Sequence, residues 1–117
     1  MDVIISGRHL EIDGSIRTYV QEKLTKIESE FPKLITARVV VDSERNWRVV
    51  EIELHGKHLT LVAKAKSPDV FVSIDDAVKK LEKQLRKHLE RLQEHRTNGK
   101  GLNGDSVSDS ERDSDAE

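Results

Sequence analysis

The fold of this chain is decided by residues 67–96, which read SPDVFVSIDDAVKKLEKQLRKHLERLQEHR. Apolar side chains recur there every three or four residues, which is typical of one face of an α-helix. The members of this apolar stripe are Val70, Ile74, Val78, Leu81, Leu85, Leu89 and Leu92. We therefore predict one long amphipathic helix, with Ser67 as its N-cap and Pro68 as its first residue.

The opposite side of this predicted helix is basic. Its basic residues are Lys79, Lys80, Lys83, Arg86, Lys87 and Arg91. One interpretation is an ordinary solvated face, in which acidic residues such as Glu82 pair with basic ones at helical spacing. The span 79–91 holds six basic residues and only two acidic ones, however. That excess favours a surface that contacts RNA phosphates and releases their counterions.

In residues 1–66 the spacing of the apolar side chains changes several times. Residues 2–6 (DVIIS) are β-branched and indicate a strand, and residues 14–31 repeat apolar side chains at helical spacing after the candidate N-caps Asp13 and Ser15. Three strands follow with short connections, which predicts an antiparallel meander with one apolar face: TARVVVDSE, WRVVEIELHG and KHLTLVAKAK. The order βαβββα predicts an α+β two-layer sandwich, with two helices packed on one face of a four-stranded sheet.

Composition divides the chain into two parts. Residues 97–117 hold two basic and six acidic residues, a net charge of −4, which leaves +2 for residues 1–96. We predict a single α+β domain over 1–96 and a disordered acidic tail over 97–117, because the tail is too polar to bury a core. The chain has no cysteine, and it contains no apolar run near the roughly 20 residues that span a bilayer.

No residue pattern indicates catalysis. The chain contains no nucleophile elbow, phosphate-binding glycine loop or dinucleotide fingerprint. Asp75 and Asp76 are adjacent on a helix and point in different directions, and the five histidines include no pair at helical i, i+4 spacing. We therefore expect no enzyme activity, no metal, no cofactor and no small-molecule substrate.

Other basic and aromatic residues bear on the RNA interpretation. If both helices cover the same sheet face, their outer surfaces form one basic patch with Arg17, Lys23, Lys26, Lys64 and Lys66. Trp47 is the only tryptophan. We expect it to cover the edge of the core; the alternative is an exposed ring that stacks on a base.

Two segments resemble a known family. They are residues 4–28, IISGRHLEIDGSIRTYVQEKLTKIE, and residues 67–88, SPDVFVSIDDAVKKLEKQLRKH. The second contains an aspartate, an aromatic residue, Ile-Asp and a basic run, here Asp69, Phe71, Ile74-Asp75 and Lys80 to Lys87. With the βαβββα order, residues 1 to about 96 resemble the short form of the ribosome hibernation promoting factors, also called ribosome-associated translation inhibitors or sigma-54 modulation proteins.

The resemblance implies a specific role. Such proteins bind the small ribosomal subunit in the mRNA and tRNA channel, inhibit translation and store ribosomes inactive under stress or in stationary phase. The partner would be ribosomal RNA, with ribosomal proteins as further contacts, in the cytoplasm and without a membrane. The implied RNA contacts are Lys79, Lys80, Lys83, Arg86 and Lys87, with Lys23 and Lys26 as additional positions.

Two features depart from the family pattern. Long members carry a second C-terminal domain, which nothing here resembles, and Val72-Ser73 replaces the usual small alanines. Two other functions stay open. A double-stranded-RNA-binding domain also combines two helices with three strands, but it lacks a strand before its first helix. A module that regulates another protein, such as an alternative sigma factor, would depend little on ribosomal RNA.

Overall fold

The computed structural model describes the backbone of residues 1–97 and the side chains of residues 1–90. Its elements are β1 (Asp2–Arg8), α1 (Gly14–Glu30), β2 (Leu34–Glu44), β3 (Trp47–Gly56), β4 (Leu59–Ser67) and α2 (Val70–Thr97). The predicted βαβββα order is confirmed. The predicted acidic tail lies outside the described residues, except for Thr97 at the end of α2.

The four strands form one mixed sheet in the order β1-β2-β3-β4. The pairs β2–β3 and β3–β4 are antiparallel, which confirms the predicted meander, whereas β1 pairs with β2 in parallel. α1 supplies the crossover that a parallel pair requires. β2 begins at Leu34, two residues earlier than predicted, and Ile35 is an extra residue between the partners of Gly56 and His55.

Residues 1–82 form one compact unit, and α2 continues from Lys83 into a second unit. In the first unit, alternate residues of the meander face a buried apolar layer. These are Ala37, Val39, Val41, Val50, Ile52, Leu54, Ala63 and Ala65. The helices cover that layer with Ile16, Val20, Leu24 and Ile27 from α1 and Ile74, Ala77, Val78 and Leu81 from α2. The predicted two-layer α+β sandwich is therefore confirmed.

The start of α1 follows the local capping rules. The Asp13 carboxylate accepts a hydrogen bond from the Ile16 N–H at 2.9 Å, as an N-cap does. This hydrogen bond, followed by one from the Ser15 hydroxyl, lowers the pKa of Asp13. Of the two predicted caps, Asp13 is therefore the one the helix uses. α1 ends at Glu30, just before Phe31 and Pro32.

The predicted start of α2 and its predicted N-cap are each wrong by two residues. The helix begins at Val70, and Asp69 caps it by accepting the Phe71 N–H on its carboxylate and the Ser73 N–H on its carbonyl, at 2.8 and 3.0 Å. Ser67 is instead the last residue of β4. It occupies an inward position there, and its hydroxyl bonds the Asp69 carbonyl and the Ser73 hydroxyl. Ser67 therefore belongs to the sheet and does not serve as the N-cap of α2.

Candidate nucleic-acid interface

α2 presents most of its basic residues to solvent. Lys79, Lys83 and Arg86 are exposed, whereas Lys80 and Lys87 are half-buried. Among the side chains of residues 1–90, no ion pair involves any of the three exposed residues. Arg91, the sixth predicted contact, lies in the helical backbone, but its side chain is outside the described part.

Lys80 is tied to the sheet. Its ammonium donates a hydrogen bond to the backbone carbonyl of Lys64 on β4, at 2.8 Å. An ammonium group has three donors, so this bond leaves two for a phosphate. The Lys80 ammonium therefore lies between α2 and the edge strand β4, within residues 1–82.

The basic residues of α1 differ from one another. Lys26 is exposed. The Lys23 ammonium lies 3.3 Å from an Asp75 carboxylate oxygen and 5.2 Å from the centre of the Tyr19 ring. Because Asp75 belongs to the first turns of α2, this contact places the two helices side by side within residues 1–82, as predicted. It also means that Lys23 already has an acidic partner.

Asp75 connects the two helices through more than one contact. It accepts a hydrogen bond from the Tyr19 hydroxyl at 2.8 Å, and the Tyr19 ring meets Phe71 edge to face with 5.1 Å between centroids. The hydrogen bond to Asp75 raises the pKa of Tyr19, and a bond to the same carboxylate raises the pKa of Lys23. No local pattern in the sequence predicts this group, because Tyr19 and Asp75 are 56 positions apart.

The position of Trp47 corrects the sequence analysis. Its side chain is 42% exposed, so it does not cover the core edge. Trp47 shares its side of β3 with Glu51 and Glu53, opposite the buried Val50 and Ile52. The strand therefore directs the ring to the face that the helices leave open.

Clusters of metal ligands and membrane-spanning helices are both absent from the described residues. Within them, no three histidine or acidic side chains come together as metal ligands. No helix in residues 1–97 combines the length and apolar character needed to cross a bilayer. The exposed side chains of α2 can instead neutralise phosphate charge, because Lys and Arg donate charge-assisted hydrogen bonds to it.

The fold and this surface define a small two-layer α+β domain with a basic helical face. Residues 3–93 match the model of the family described as Sigma 54 modulation protein / S30EA ribosomal protein. The chain therefore belongs to this family, which confirms the resemblance that residues 4–28 and 67–88 carry.

Proteins of known name and structure resemble the chain over nearly the same region. A ribosome hibernation promoting factor from Pseudomonas putida is 39% identical over 93 residues, which are 80% of this chain and 91% of the relative. One from Escherichia coli is 30% identical over 95 residues, 81% of this chain and all of the relative.

Two solved structures share the fold. The Protein Y N-terminal domain of Thermus thermophilus superposes with a TM-score of 0.69 at 28% identity, covering 75% of this chain and 99% of that one. A ribosomal subunit interface protein from Coxiella burnetii gives a TM-score of 0.73 at 22% identity, covering 77% and 99%. At that identity the second comparison bears on the fold alone.

Proposed function

We propose that this protein is a non-catalytic ribosome-binding factor of the cytoplasm. It occupies the mRNA and tRNA channel of the small subunit, inhibits translation and keeps ribosomes inactive under stress or in stationary phase. The observation that carries the proposal is the basic row of α2 (Lys79, Lys80, Lys83, Arg86 and Lys87), of which Lys79, Lys83 and Arg86 are exposed. It occurs in a chain 39% identical to a ribosome hibernation promoting factor.

The contacts in this proposal are made with phosphates. A-form RNA hides its base edges in a deep, narrow major groove, so a helix row of Lys and Arg recognises backbone shape. The proposed RNA contacts are Lys79, Lys80, Lys83, Arg86, Lys87 and Arg91 on α2, with Lys23 and Lys26 on α1. Ribosomal proteins at the edge of the channel are further contacts.

Occupying a channel needs no reaction, so the proposed mechanism is steric exclusion. A folded domain of residues 1–82 with a continuous apolar core keeps its shape when bound. It excludes mRNA and tRNA for as long as it stays in place. Release then depends on the lifetime of the phosphate contacts, which shortens as salt competes for the same phosphates.

The structure disfavours one of the rival functions. A double-stranded-RNA-binding domain has no strand before its first helix, whereas β1 here forms a parallel edge of the sheet. The other rival, a module that modulates a sigma factor, is consistent with the family's description. It differs from our proposal in requiring no basic row on α2.

The test is co-sedimentation with purified ribosomal subunits over a series of salt concentrations. The wild type is compared with Lys83→Glu/Arg86→Glu. The matched control is Lys33→Glu/Lys57→Glu, which changes the net charge equally at two exposed turn lysines. We expect wild type and control to bind the small subunit in a salt-sensitive way and the α2 variant to stay in the supernatant.

Each other outcome has a defined meaning. Equal binding of both double variants would keep the ribosome as the partner but remove α2 as the contact surface. If even the wild type fails to bind subunits at low salt, the proposed function is wrong, and the sigma-factor interpretation is the next to test. Protection of small-subunit RNA from chemical probing then shows whether the bound protein occupies the mRNA and tRNA channel.

A further inference from the structure

The open side of the sheet carries a second cationic site, at the hairpin between β2 and β3. The Lys66 ammonium on β4 lies 5.0 Å from the centre of the exposed Trp47 ring, within the range of a cation–π contact. Residue 66 pairs with Val49, two positions along β3 from Trp47, so both side chains leave the sheet on the same side. The Trp47 ring and the Lys66 ammonium therefore lie together on the side of the sheet that the helices leave open.

We infer that Trp47 and Lys66 form a stacking site for an unpaired RNA base and its phosphate. The inference rests on the proposed function in expecting RNA as the ligand, and it adds a contact surface away from the basic row of α2. A single exposed tryptophan is not unusual by itself. The Lys66 ammonium lies over one face of the ring, so in this inference the base stacks on the other face and the ammonium meets the phosphate; proteins bind single strands with this combination of an aromatic ring and a cation.

The backbone around the ring is held in place before any ligand arrives. Arg45, in the turn, has a φ of 56°, a left-handed value that non-glycine residues rarely adopt. The Arg48 guanidinium donates hydrogen bonds to the carbonyls of Arg45 and Trp47, at 3.3 and 3.1 Å. The Ser73 hydroxyl of α2 donates to the Arg48 carbonyl at 2.7 Å. Hydrogen bonds therefore connect the start of β3 both to the β2–β3 turn and to α2.

The side of the sheet that carries the ring holds both basic and acidic residues, and the charge in contact with the ring is the Lys66 ammonium. Arg45 is exposed in the turn, and Lys64 leaves β4 on the same side as Lys66. Acidic residues lie on the same side of the sheet, where Glu51 of β3 pairs in register with Lys64. Glu44 pairs with Trp47 in register, and Asp42 lies 3.0 Å from His9, so that carboxylate already has a partner. A protein partner could also use an exposed tryptophan, and the cations around this one favour RNA.

Because the chain has one tryptophan, the fluorescence of Trp47 reports on this site alone. We would titrate the full chain with a single-stranded RNA of about 12 nucleotides, a length suited to one small domain. Polyphosphate of matched charge serves as the control, because it has no bases to stack. We expect saturable quenching by the RNA and unchanged emission with polyphosphate.

Matched variants separate the ring from the charge. Lys66→Gln should raise the RNA concentration needed for half-maximal quenching several-fold. It should also make the slope of log K against log salt shallower by about one. Lys57→Gln is the control, since Lys57 follows the far end of β3, roughly 30 Å along the strand from Trp47. Trp47→Leu should weaken binding of labelled RNA about tenfold, whereas Ile35→Ala, at another exposed apolar residue, should not.

The outcomes distinguish this inference from the proposed function. Emission that RNA leaves unchanged, or that polyphosphate quenches equally, overturns the stacking site even if the protein co-sediments with ribosomes; the exposed ring would then be left to a protein partner. Quenching by RNA that depends on Lys66 supports the site even if ribosome binding fails. The wild-type titration decides the question if Trp47→Leu does not fold.

Discussion

α1 and α2 both carry basic residues away from the sheet, but the two helices differ in what surrounds those residues. α1 holds three basic and three acidic residues, and its Lys23 is paired with Asp75. The span 79–91 of α2 holds six basic and two acidic residues. Its exposed Lys79, Lys83 and Arg86 have no ion pair among the side chains of residues 1–90.

The difference shows that counting charges does not identify an interface. A lysine that already has a carboxylate partner must give up that contact before it can neutralise a phosphate, so it adds less to binding. Lys23, the lysine of α1 that contacts Asp75 of α2, therefore contributes to folding, and we propose that the exposed Lys79, Lys83 and Arg86 of α2 are the main contacts with RNA. This assignment of α1 to the fold and α2 to binding is open to direct tests.

The largest expected effect comes from neutralising each helix in turn. The variant Lys79→Gln/Lys83→Gln/Arg86→Gln should make the slope of log K against log salt for small-subunit binding shallower by about three, because each lost phosphate contact removes about one. The variant Arg17→Gln/Lys23→Gln/Lys26→Gln removes the same charge. It should change the slope by about one, because Lys23 and Lys26 are the proposed RNA contacts of α1 and Lys23 is already paired with Asp75.

The measurement is filter binding of small subunits at several salt concentrations. Equal slopes for the two triple variants would break the comparison between the helices. In that case overall charge, and not its position, would govern binding, and the pairing of Lys23 with Asp75 would have no functional weight.

A smaller effect is expected from the acidic tail. Deleting residues 97–117 removes a net charge of −4, which changes a chain of net −2 into one of net +2. The affinity for bulk RNA should then rise about threefold to tenfold at low salt and differ little at high salt, where charge repulsion is screened.

Electrophoretic mobility shifts with non-ribosomal RNA measure this effect. A control that replaces the six acidic residues of the tail with their amides separates charge from length. If the deletion leaves the affinity for bulk RNA unchanged at every salt concentration, the acidic tail does not repel RNA and this prediction is wrong.

The sequence predicted those features that depend on neighbours along the chain. Apolar side chains every second or every third to fourth residue identified each strand and helix, and the N-cap of α1 is one of the two candidates that the sequence indicated, Asp13 and Ser15. These patterns work because a strand or helix repeats its geometry locally. They were sufficient for the two-layer fold and for the basic row on α2.

The features that the sequence did not predict depend on distant residues. The Ser67–Pro68 pair has the form of a helix start, but an inward position in β4 holds Ser67 in the sheet. Position 47 lies at the start of a strand, where the direction of the ring depends on register with β2 and β4. The Tyr19–Asp75 bond joins two helices that only the sheet brings together.

The smallest expected effect concerns that bond and tests whether Asp75 serves the fold. Asp75→Asn removes the charge that Tyr19 and Lys23 share, and should reduce the free energy of unfolding by about 0.5–1 kcal/mol at neutral pH. The matched control is Asp76→Asn, the same change at the adjacent half-buried position. Because Asp75 raises the pKa of Tyr19, removing its charge should lower that pKa toward the ordinary value of 10.0.

The raised pKa values also fix the sign of the pH dependence. The folded state holds the protons of Tyr19 and Lys23 more tightly than the unfolded state, so this stabilisation is complete below their ordinary values of 10.0 and 10.5. It is lost as the pH rises through the folded values. The wild type should therefore lose more stability than Asp75→Asn above pH 10.

Tyrosinate absorbance follows Tyr19 directly, since it is the only tyrosine. Superimposable titration curves for wild type and Asp75→Asn would show that the carboxylate does not hold the helices together, and Lys23 would then count as a full RNA contact beside Lys26.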